Sequence, residues 1–466
     1  MRPPFDIAAD LDTPVSALKK LVSFDPVFLL ESVEGGERLG RYSFLGLGRA
    51  MTVELGAAGW RVNGVPEDGP TQGPGLGAKL RELVGRAPAL SPAVAGLPFD
   101  GGLVGLFGYD FVRRLEPVGA RLGAVGGVIG GGSAAHLVGP RSMLVFDHAH
   151  RRVALVHSGP EWERQSLRRE IVGALRGAVP EVPSKRGHEP ARASLSREQY
   201  MELVGRCQGH IRAGDVFQIV PSVRFQGACH TPPVEVYRAL RLLNPSPYMY
   251  YVDLGQEQVV GSSPEALVKL TAGGEATLRP IAGTRPRGVD ESADRALEAE
   301  LLADAKEAAE HVMLVDLARN DLGRVAVPRT VRVDPFRVIE RYSHVMHIVS
   351  GVSGRVRPGL GAAELLLATF PAGTVTGAPK VRAMQLIEEM EPTRRGFYSG
   401  TVGYIARGGG MDQAIAIRTI AFSDGGYAYQ AGAGVVEASV PEMEHNEVLA
   451  KVGALEASLR LAEEGL

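Results

Sequence analysis

The spacing of apolar residues changes character along this chain. Up to about residue 155, short apolar runs such as Val27–Leu30, Met143–Phe146 and Val153–Val156 are separated by turn residues, many of them glycine. This pattern is typical of antiparallel strands with few helices. Beyond residue 190, helical periodicity and strand-like runs follow each other without strict alternation. The pattern therefore predicts an α+β fold rather than a doubly wound parallel sheet.

Individual helices and strands are predicted in the second region. Ser196 and Gln199 have the form of a capping box, an apolar face follows, and Gly214 is a typical helix stop. Cys207 lies on that apolar face, so we expect a core residue rather than a reactive thiol. Further helices are predicted over 290–317, 378–390 and 442–461. Strands are predicted over 216–225, 248–252, 258–261, 266–270, 400–406, 414–422 and 427–432.

Residues 179–192 contain three prolines and lack periodicity. They fit an exposed linker or a surface loop within one compact body, and the sequence leaves both open. We accordingly predict an amino-terminal region over 1–160 and a second region over 190–466.

Charge and composition exclude several classes of protein. The 466 residues include 51 basic and 53 acidic ones, a net charge of -2, so no general attraction to nucleic acid or anionic membrane is expected. The start of the chain contains three aspartates, and the apolar stretch over 122–138 is broken by glycines, so neither a signal peptide nor a membrane span is expected. With only two cysteines, a reducing cytoplasmic location is expected.

Two pairs of glutamates are spaced for one helix face each. Glu307 and Glu310 lie three residues apart in one predicted helix, and Glu444 and Glu447 in another. Such carboxylates suit a hard cation such as Mg²⁺, which typically takes only one or two protein carboxylates. Taken alone, however, this spacing is more typical of solvated glutamates on amphipathic helices.

Other candidate positions are equally ambiguous in isolation. The glycines of 430–435 could cradle an anion or form a tight turn, and the segment 280–288 could bind a carboxylate or be a basic surface loop. Gln218 and Arg418 interrupt apolar strand-like runs, and a buried charge needs a partner or a ligand. His347 could be an ordinary core histidine.

Several catalytic motifs are missing. The sequence contains no Walker loop, no zinc-type cluster and no Gly-x-Ser-x-Gly elbow, and neither cysteine lies in a nucleophile-like turn. The chain therefore shows no means of releasing ammonia from glutamine by itself.

Taken together and in order, these segments resemble the chorismate-utilising enzymes, and within them the large subunits of anthranilate synthases. The resemblance spans nearly the whole chain and is densest over 196–455. It is carried by GDVFQIV at 214–220, NPSPYMY at 244–250, SSPE at 262–265, PIAGTRPRG at 280–288, KEAAEHVMLVDLARNDLG at 306–323, YSHVMHI at 342–348 and QAGAGVV at 430–436. It implies two packed antiparallel sheets with surrounding helices, an active site in a cleft, and a catalytic role for 190–466.

The resemblance implies a lyase that makes anthranilate and pyruvate from chorismate and ammonia. Mg²⁺ would be bound by Glu310 and Glu447, with Glu307 and Glu444 as supports. The residues expected to bind chorismate are Gly283, Thr284, Tyr398, Arg418, Gly432, Ala433, Gly434 and Lys451. Those expected in catalysis are Glu265 as the general acid, His347 in the loss of pyruvate, and Gln218.

Two positions separate this reading from related ones. Water-adding relatives have a lysine base at the position of Gln218. Aminodeoxychorismate synthases often have lysine where Ala282 stands, so that alternative is disfavoured but still open. A catalytically silent tryptophan-binding regulator is the second alternative. Pro221 departs from the leucine usual in the family, and since proline removes a ladder donor, the strand edge should differ there.

Regulation and assembly are also implied. Glu31 and Ser32 on one side, and Pro247, Tyr248 and Met249 on the other, resemble the two walls of a tryptophan feedback site. They could also be ordinary sheet-packing residues. A separate glutamine amidotransferase subunit is expected to supply ammonia, in an assembly of two large and two small subunits.

Overall fold

The computed structural model describes residues 4–32, 40–119, 133–180, 187–341 and 345–466. Its α-helices are α1 (Pro14–Lys20), α2 (Pro74–Arg86), α3 (Glu161–Leu175), α4 (Arg197–Arg212), α5 (Pro233–Leu243), α6 (Glu291–Ala303), α7 (Ala305–Gly323), α8 (Ala362–Thr369), α9 (Lys380–Met390) and α10 (Pro441–Glu464). Part of the segment 179–192 and His344 lie outside the described residues.

The strands are numbered in chain order. They are β1 (Ile7–Ala8), β2 (Pro26–Glu31), β3 (Tyr42–Gly56), β4 (Gly59–Val62), β5 (Val65–Glu67), β6 (Gly102–Phe107), β7 (Ala135–Asp147), β8 (Arg152–His157), β9 (Arg192–Ala193), β10 (Gln218–Ile219), β11 (Ser222–Ala228), β12 (Tyr248–Asp253), β13 (Glu257–Ser263), β14 (Ala266–Leu270), β15 (Glu275–Leu278), β16 (Ile281–Pro286), β17 (Arg332–Val333), β18 (Val338–Arg341), β19 (Val345–Val349), β20 (Val352–Arg355), β21 (Gly377–Ala378), β22 (Thr401–Ala406), β23 (Met411–Ile415), β24 (Thr419–Ser423) and β25 (Gly426–Gly432).

Two long strands, β3 and β7, join two antiparallel sheets. From β3, the first sheet continues through β2, β12, β13, β24, β25 and β11. From β7, the second sheet continues through β6, β22, β23, β14, β15 and β20. Together the connected strands form a network of 20, in which every pairing is antiparallel. The α+β prediction is therefore confirmed.

Three large apolar cores define the layers. One lies between the sheets, where Phe99 stacks on Tyr404 with ring centroids 4.6 Å apart. A second core buries the outer face of the first sheet against α4, α5 and α10. The third buries the outer face of the second sheet against α2, α7 and α8. Helices thus cover both sides of a sheet sandwich, and the apolar faces read from the sequence point into these cores.

Most predicted elements are present, but three are interrupted. The Ser196–Gln199 capping box begins α4 as predicted. The single helix predicted over 290–317 is wrong, because Asp304 ends α6 and caps α7 through its carboxylate. The strand predicted over 216–225 breaks at Pro221, where a strand-edge difference was expected. The strand predicted over 414–422 also breaks, and Arg418 lies in the break with φ +48°.

Two observations bear on the expected reducing compartment and on the expected lack of a membrane span. Both cysteines are buried and free. Among the residues described, no helix is at once long and apolar enough to cross a membrane.

Candidate active site

Two neighbouring crossings between the sheets bring opposite charges together. Glu265 lies between β13 of the first sheet and β14 of the second, and Arg418 lies between β23 of the second and β24 of the first. Since β13 pairs with β24 and β14 with β23, the two crossings are adjacent. The Ile415 amide donates to the Glu265 carbonyl, and the Ser262 amide to the Arg418 carbonyl, both at 3.0 Å. The topology itself therefore positions a carboxyl beside a guanidinium.

The environment of Glu265 favours its protonated form. Burial raises the pKa of Glu265 to about 7, against the opposing effects of the nearby Thr374 hydroxyl and the positive charges of Arg418 and Lys451. Burial also lowers the pKa of Arg418, but an arginine stays charged at neutral pH. A carboxyl that titrates near neutrality can donate a proton at physiological pH.

The two glutamate pairs lie on the predicted helices and face a common space. Glu307 and Glu310 are on α7, and Glu444 and Glu447 on α10. Burial raises the pKa of Glu310, and the charges of Glu307 and Glu447 add to this shift. Burial and the charge of Glu447 likewise raise the pKa of Glu444. The carboxylates of both helices therefore repel one another, which is the arrangement that a cation relieves.

The four glutamates can be compared with the ligands that Mg²⁺ requires. Within the described ranges, no group of three or more acidic, histidine or cysteine side chains has the geometry of a metal site. Mg²⁺ requires less, since it commonly takes one or two carboxylates and completes its octahedron with water and substrate oxygens. Carboxylate oxygens that repel one another fit that ion. Glu447 is half exposed and forms an ion pair with Lys451 at 2.7 Å.

Gln218 and the glycine segment close one side of this space. The Gln218 side-chain amide donates to Glu310 Oε1 at 2.8 Å. A Cβ on Gly434 would lie only 2.7 Å from Gln218 Nε2, and one on Gly432 only 2.5 Å from the Pro221 carbonyl and 3.1 Å from the Tyr398 hydroxyl. Glycine is therefore required at 432, where a backbone carbonyl lies in the way, whereas a Cβ at 434 would displace the Gln218 amide from its position beside Glu310. Ala433 between them is fully buried.

Lys451 links α10 to the same segment. Its ammonium donates to the Gly432 carbonyl at 2.9 Å and contacts Glu447. Burial lowers the pKa of Arg418, and the Tyr398 phenol and the negative charge of Glu447 both oppose that shift. Two cations, a phenol and a glycine backbone thus share one site, which suits a ligand with negative charges.

The opposite side is formed by β16 and β19, which pair Thr284 with His347. His347 Nδ1 lies 3.0 Å from the Gly283 carbonyl and 3.1 Å from the Thr284 hydroxyl. A carbonyl only accepts, so Nδ1 carries the proton and Nε2 is the nitrogen that can accept one. Gly283 has φ +64°, and a Cβ there would lie 2.9 Å from Leu301 Cδ1 and 3.2 Å from Glu307 Oε2. These residues therefore adjoin the α7 carboxylates.

The residues predicted for feedback binding form a separate group. Glu31 pairs with Met249 across β2 and β12. The Glu31 carboxylate accepts from the Tyr237 hydroxyl at 2.5 Å and from Arg241 at 3.2 Å. Tyr248 donates to Asp412 at 3.0 Å.

Ser32 differs from these satisfied groups. Its hydroxyl is buried and has no hydrogen-bond partner among the described residues. Pro247 is partly buried just before β12. An orphaned buried hydroxyl is costly unless a ligand or water completes it.

Sequence reasoning missed several residues that support these groups. Tyr237 and Arg241 lie four residues apart on α5, a spacing that could have marked them as a polar pair on one helix face. Arg395 is buried against Glu391, which accepts its hydrogen bonds at 2.7 and 3.0 Å, and its guanidinium lies 5.4 Å from the Tyr398 ring centre. Thr374 beside Glu265 had no recognisable motif.

Comparisons with known sequences give one consistent result. The sequence profile of the family described as chorismate binding enzyme matches residues 40–457. Anthranilate synthase component 1 of Pseudomonas aeruginosa is 45% identical, over 99% of this chain and 96% of its own length. The protein of the same name from Thermus thermophilus is 46% identical, over 98% of this chain and 97% of its own length.

Solved structures agree with the sequence comparisons. Anthranilate synthase component I from Streptococcus pneumoniae superimposes with a TM-score of 0.78 at 34% identity, covering 89% of this chain and 92% of its own. The menaquinone-specific isochorismate synthase of Escherichia coli superimposes with a TM-score of 0.70 at 19% identity, covering 97% of this chain and 92% of its own. The latter likeness concerns the fold alone.

Proposed function

This chain belongs to the family of chorismate binding enzymes, and we propose that it is the large subunit of an anthranilate synthase. It would convert chorismate and ammonia into anthranilate and pyruvate. The observation that carries this proposal is that Glu265, whose pKa is about 7, lies in one site with Arg418 and Lys451. Chorismate has two carboxylates and a hydroxyl that must leave, so it needs both the cations and the acid.

The first step is amination of the ring. Ammonia forms a bond to C2 while the C4 hydroxyl departs, and Glu265 donates the proton that turns hydroxide into water. Gln218 cannot act as a base that activates water, and ammonia needs no such base. This favours amination over hydration at the same ring carbon.

The second step makes the ring aromatic. The C2 proton is removed, the ether bond to C3 breaks, and the enolpyruvyl group leaves as pyruvate. His347 is proposed to serve this step, since its Nδ1–H is held by the Gly283 carbonyl and Nε2 is the basic nitrogen. Arg418, Lys451, Tyr398 and the 432–434 backbone are proposed to hold the substrate during both steps.

We propose Mg²⁺ as the cofactor, held by Glu310 and Glu447 with support from Glu307 and Glu444. The ion would act as a Lewis acid on a substrate carboxylate when bound. Support comes from burial and from the mutual repulsion of these carboxylates, which together raise the pKa of Glu310 and Glu444. A metal titration that follows both activity and melting temperature tests this assignment, because an ion that binds only the folded state raises its stability.

We further propose that tryptophan inhibits the enzyme by binding at Ser32, Glu31 and the 247–249 wall. The orphaned Ser32 hydroxyl supports this proposal, since the head group of an amino acid would complete it. Direct calorimetry with tryptophan, in the wild type and in Ser32→Ala, tests it.

A glutamine amidotransferase subunit is proposed as the ammonia source, in an assembly of two large and two small subunits in the cytoplasm. The large subunits among the relatives are named component 1, which supports a multi-component enzyme. The two free cysteines support a reducing compartment. Glutamine should yield no product until such a partner is added.

The deciding assay combines purified chain, chorismate, Mg²⁺ and ammonium salt, and follows anthranilate fluorescence. Metal-dependent product is expected. Consumption of chorismate without anthranilate would favour an aminodeoxychorismate synthase. Untouched chorismate together with tryptophan binding would favour a silent regulator.

A further inference from the structure

A small cavity adjoins Glu265 and extends along α7. Its volume is about 40 Å³, and its lining includes Glu265, Thr374, Leu314, Leu317, Asp321 and Arg279. A buried water needs roughly 10–15 Å³ of such volume, so the cavity has room for about three waters. Most of the lining is apolar, but two carboxylates and the Thr374 hydroxyl provide the polar partners that such waters need.

The cavity follows one face of α7. Glu310, Leu314, Leu317 and Asp321 recur at intervals of four, three and four residues, so they share one face of α7. The amino-terminal end of this face carries the proposed metal ligand, its middle lines the cavity, and Asp321 lies at its far end.

A buried hydroxyl beside Glu265 also lines the cavity. Thr374 Oγ1 is buried and makes no hydrogen bond of ordinary geometry with any described residue, although the hydroxyl is near enough to Glu265 to lower its pKa. A buried hydroxyl without a protein partner is typically completed by water. This observation is independent of the cavity volume and points to the same occupant.

The far end holds an ion pair that reaches the surface. Lys380 Nζ donates to Asp321 Oδ2 at 2.6 Å and to the Thr369 carbonyl at 3.2 Å, and both charged side chains remain 13% exposed. Burial raises the pKa of Asp321 against the effects of Lys380 and Arg324, and Glu116 raises it further. Arg279, the other charged residue of the lining, is paired with Glu340.

We propose that water in this cavity connects the Glu265 carboxyl to the Asp321–Lys380 pair and returns a proton to Glu265 in each turnover. The inference rests on the proposed function, in which Glu265 is the acid. Glu265 gives its proton to the departing hydroxide, and the substrate nitrogen loses one as the new C–N bond matures. The catalytic cycle is therefore balanced, but the proton must return to Glu265. Asp321 and Lys380 are positioning and relay residues, since both lie outside the proposed substrate site.

The test compares Asp321→Asn with Asp316→Asn. Both aspartates lie on α7, but Asp316 is 56% exposed and absent from the cavity lining, so it is a matched control. Single-turnover rates are measured with enzyme in excess of chorismate. The pH is set one unit below the Glu265 pKa of about 7, so that Glu265 is protonated at the start. Steady-state rates are measured with chorismate in excess.

Asp321→Asn should retain its single-turnover rate but lose roughly tenfold or more in kcat, since general acid catalysis typically contributes about 10²- to 10⁴-fold. KM should be unchanged, and Asp316→Asn should match the wild type. Thr374→Val, which removes the hydroxyl beside Glu265, should likewise retain its single-turnover rate and lose kcat. Equal losses in both regimes, or no loss in either, would overturn the proposal.

An independent readout separates this proposal from the reaction itself. Infrared titration of the free protein follows the protonated carboxyl of Glu265, which Glu265→Gln identifies. Asp321→Asn removes a negative charge at the far end of the cavity, so the pKa of Glu265 should fall, whereas Asp316→Asn should leave it unchanged. Identical titrations in the two variants would refute the connection, even if the wild type made no anthranilate.

Discussion

Replacing Glu265 by glutamine should abolish amination and at the same time stabilise the protein at alkaline pH. Glutamine keeps the shape and hydrogen-bonding capacity of the protonated acid but cannot donate a catalytic proton. It also cannot ionise, so it removes a charge that the folded protein has to hold in a buried position.

The magnitude follows from the pKa of Glu265, which rises from 4.5 to about 7 on folding. One pKa unit corresponds to about 1.4 kcal/mol, so ionised Glu265 destabilises the folded wild type by about 3 kcal/mol at pH 8. The sign follows from proton binding. Between pH 4.5 and 7 the folded state holds a proton that the unfolded chain has lost. Wild-type stability contributed by this group therefore falls as pH rises through that window.

Urea denaturation at pH 5 and pH 8, without Mg²⁺ or chorismate, measures the effect. Glu265→Gln should exceed the wild type by less than about 1 kcal/mol at pH 5 and by about 3 kcal/mol at pH 8. Glu291→Gln is a suitable control because Glu291 is 85% exposed, and its stability should stay within about 0.5 kcal/mol of the wild type. A variant that is destabilised equally at both pH values would refute this account of the Glu265 environment.

Three further variants address the metal, the glycine segment and the feedback site. Glu310→Gln should lower metal-dependent turnover by roughly 100-fold or more, and full activity in a Mg²⁺ titration would remove this ligand. Gly434→Ala places a Cβ 2.7 Å from Gln218 Nε2 and should lower kcat/KM by roughly tenfold. Gly453→Ala, with no atom within 4 Å of its Cβ, should not; equal kinetics in the two would contradict the close approach. Ser32→Ala should raise the tryptophan concentration for half-maximal inhibition roughly fivefold, and an unchanged inhibition curve would count against the site.

Local signals in the sequence were sufficient for many elements of the fold. The capping box at Ser196 and the apolar run of β14 were read correctly because both depend on neighbouring residues alone. Asp304 could also have been found, since an aspartate followed three residues later by Glu307 has the form of a helix start. The sharing of β3 and β7 between two sheets depends on long-range pairing, which no local period reveals.

The candidate site was named from a resemblance, and the structure adds the reasons for its geometry. The segment 414–422 is apolar on both sides of Arg418 and was read as one strand, so the pattern concealed the left-handed turn at that residue. The strands on either side of Glu265 were predicted separately, but no local signal showed that they belong to different sheets. The cavity that Glu265 and Asp321 share arises only when α7 packs across the second sheet. Such proximities between distant segments follow from topology rather than from residue type.

The most direct test of the central claim is to identify the product by mass spectrometry, using the purified chain with chorismate, Mg²⁺ and ¹⁵N-labelled ammonium. The proposed reaction predicts ¹⁵N-labelled anthranilate and pyruvate in equal amounts, with no product from glutamine unless an amidotransferase subunit is added. Labelled aminodeoxychorismate without pyruvate, or unlabelled isochorismate, would contradict it.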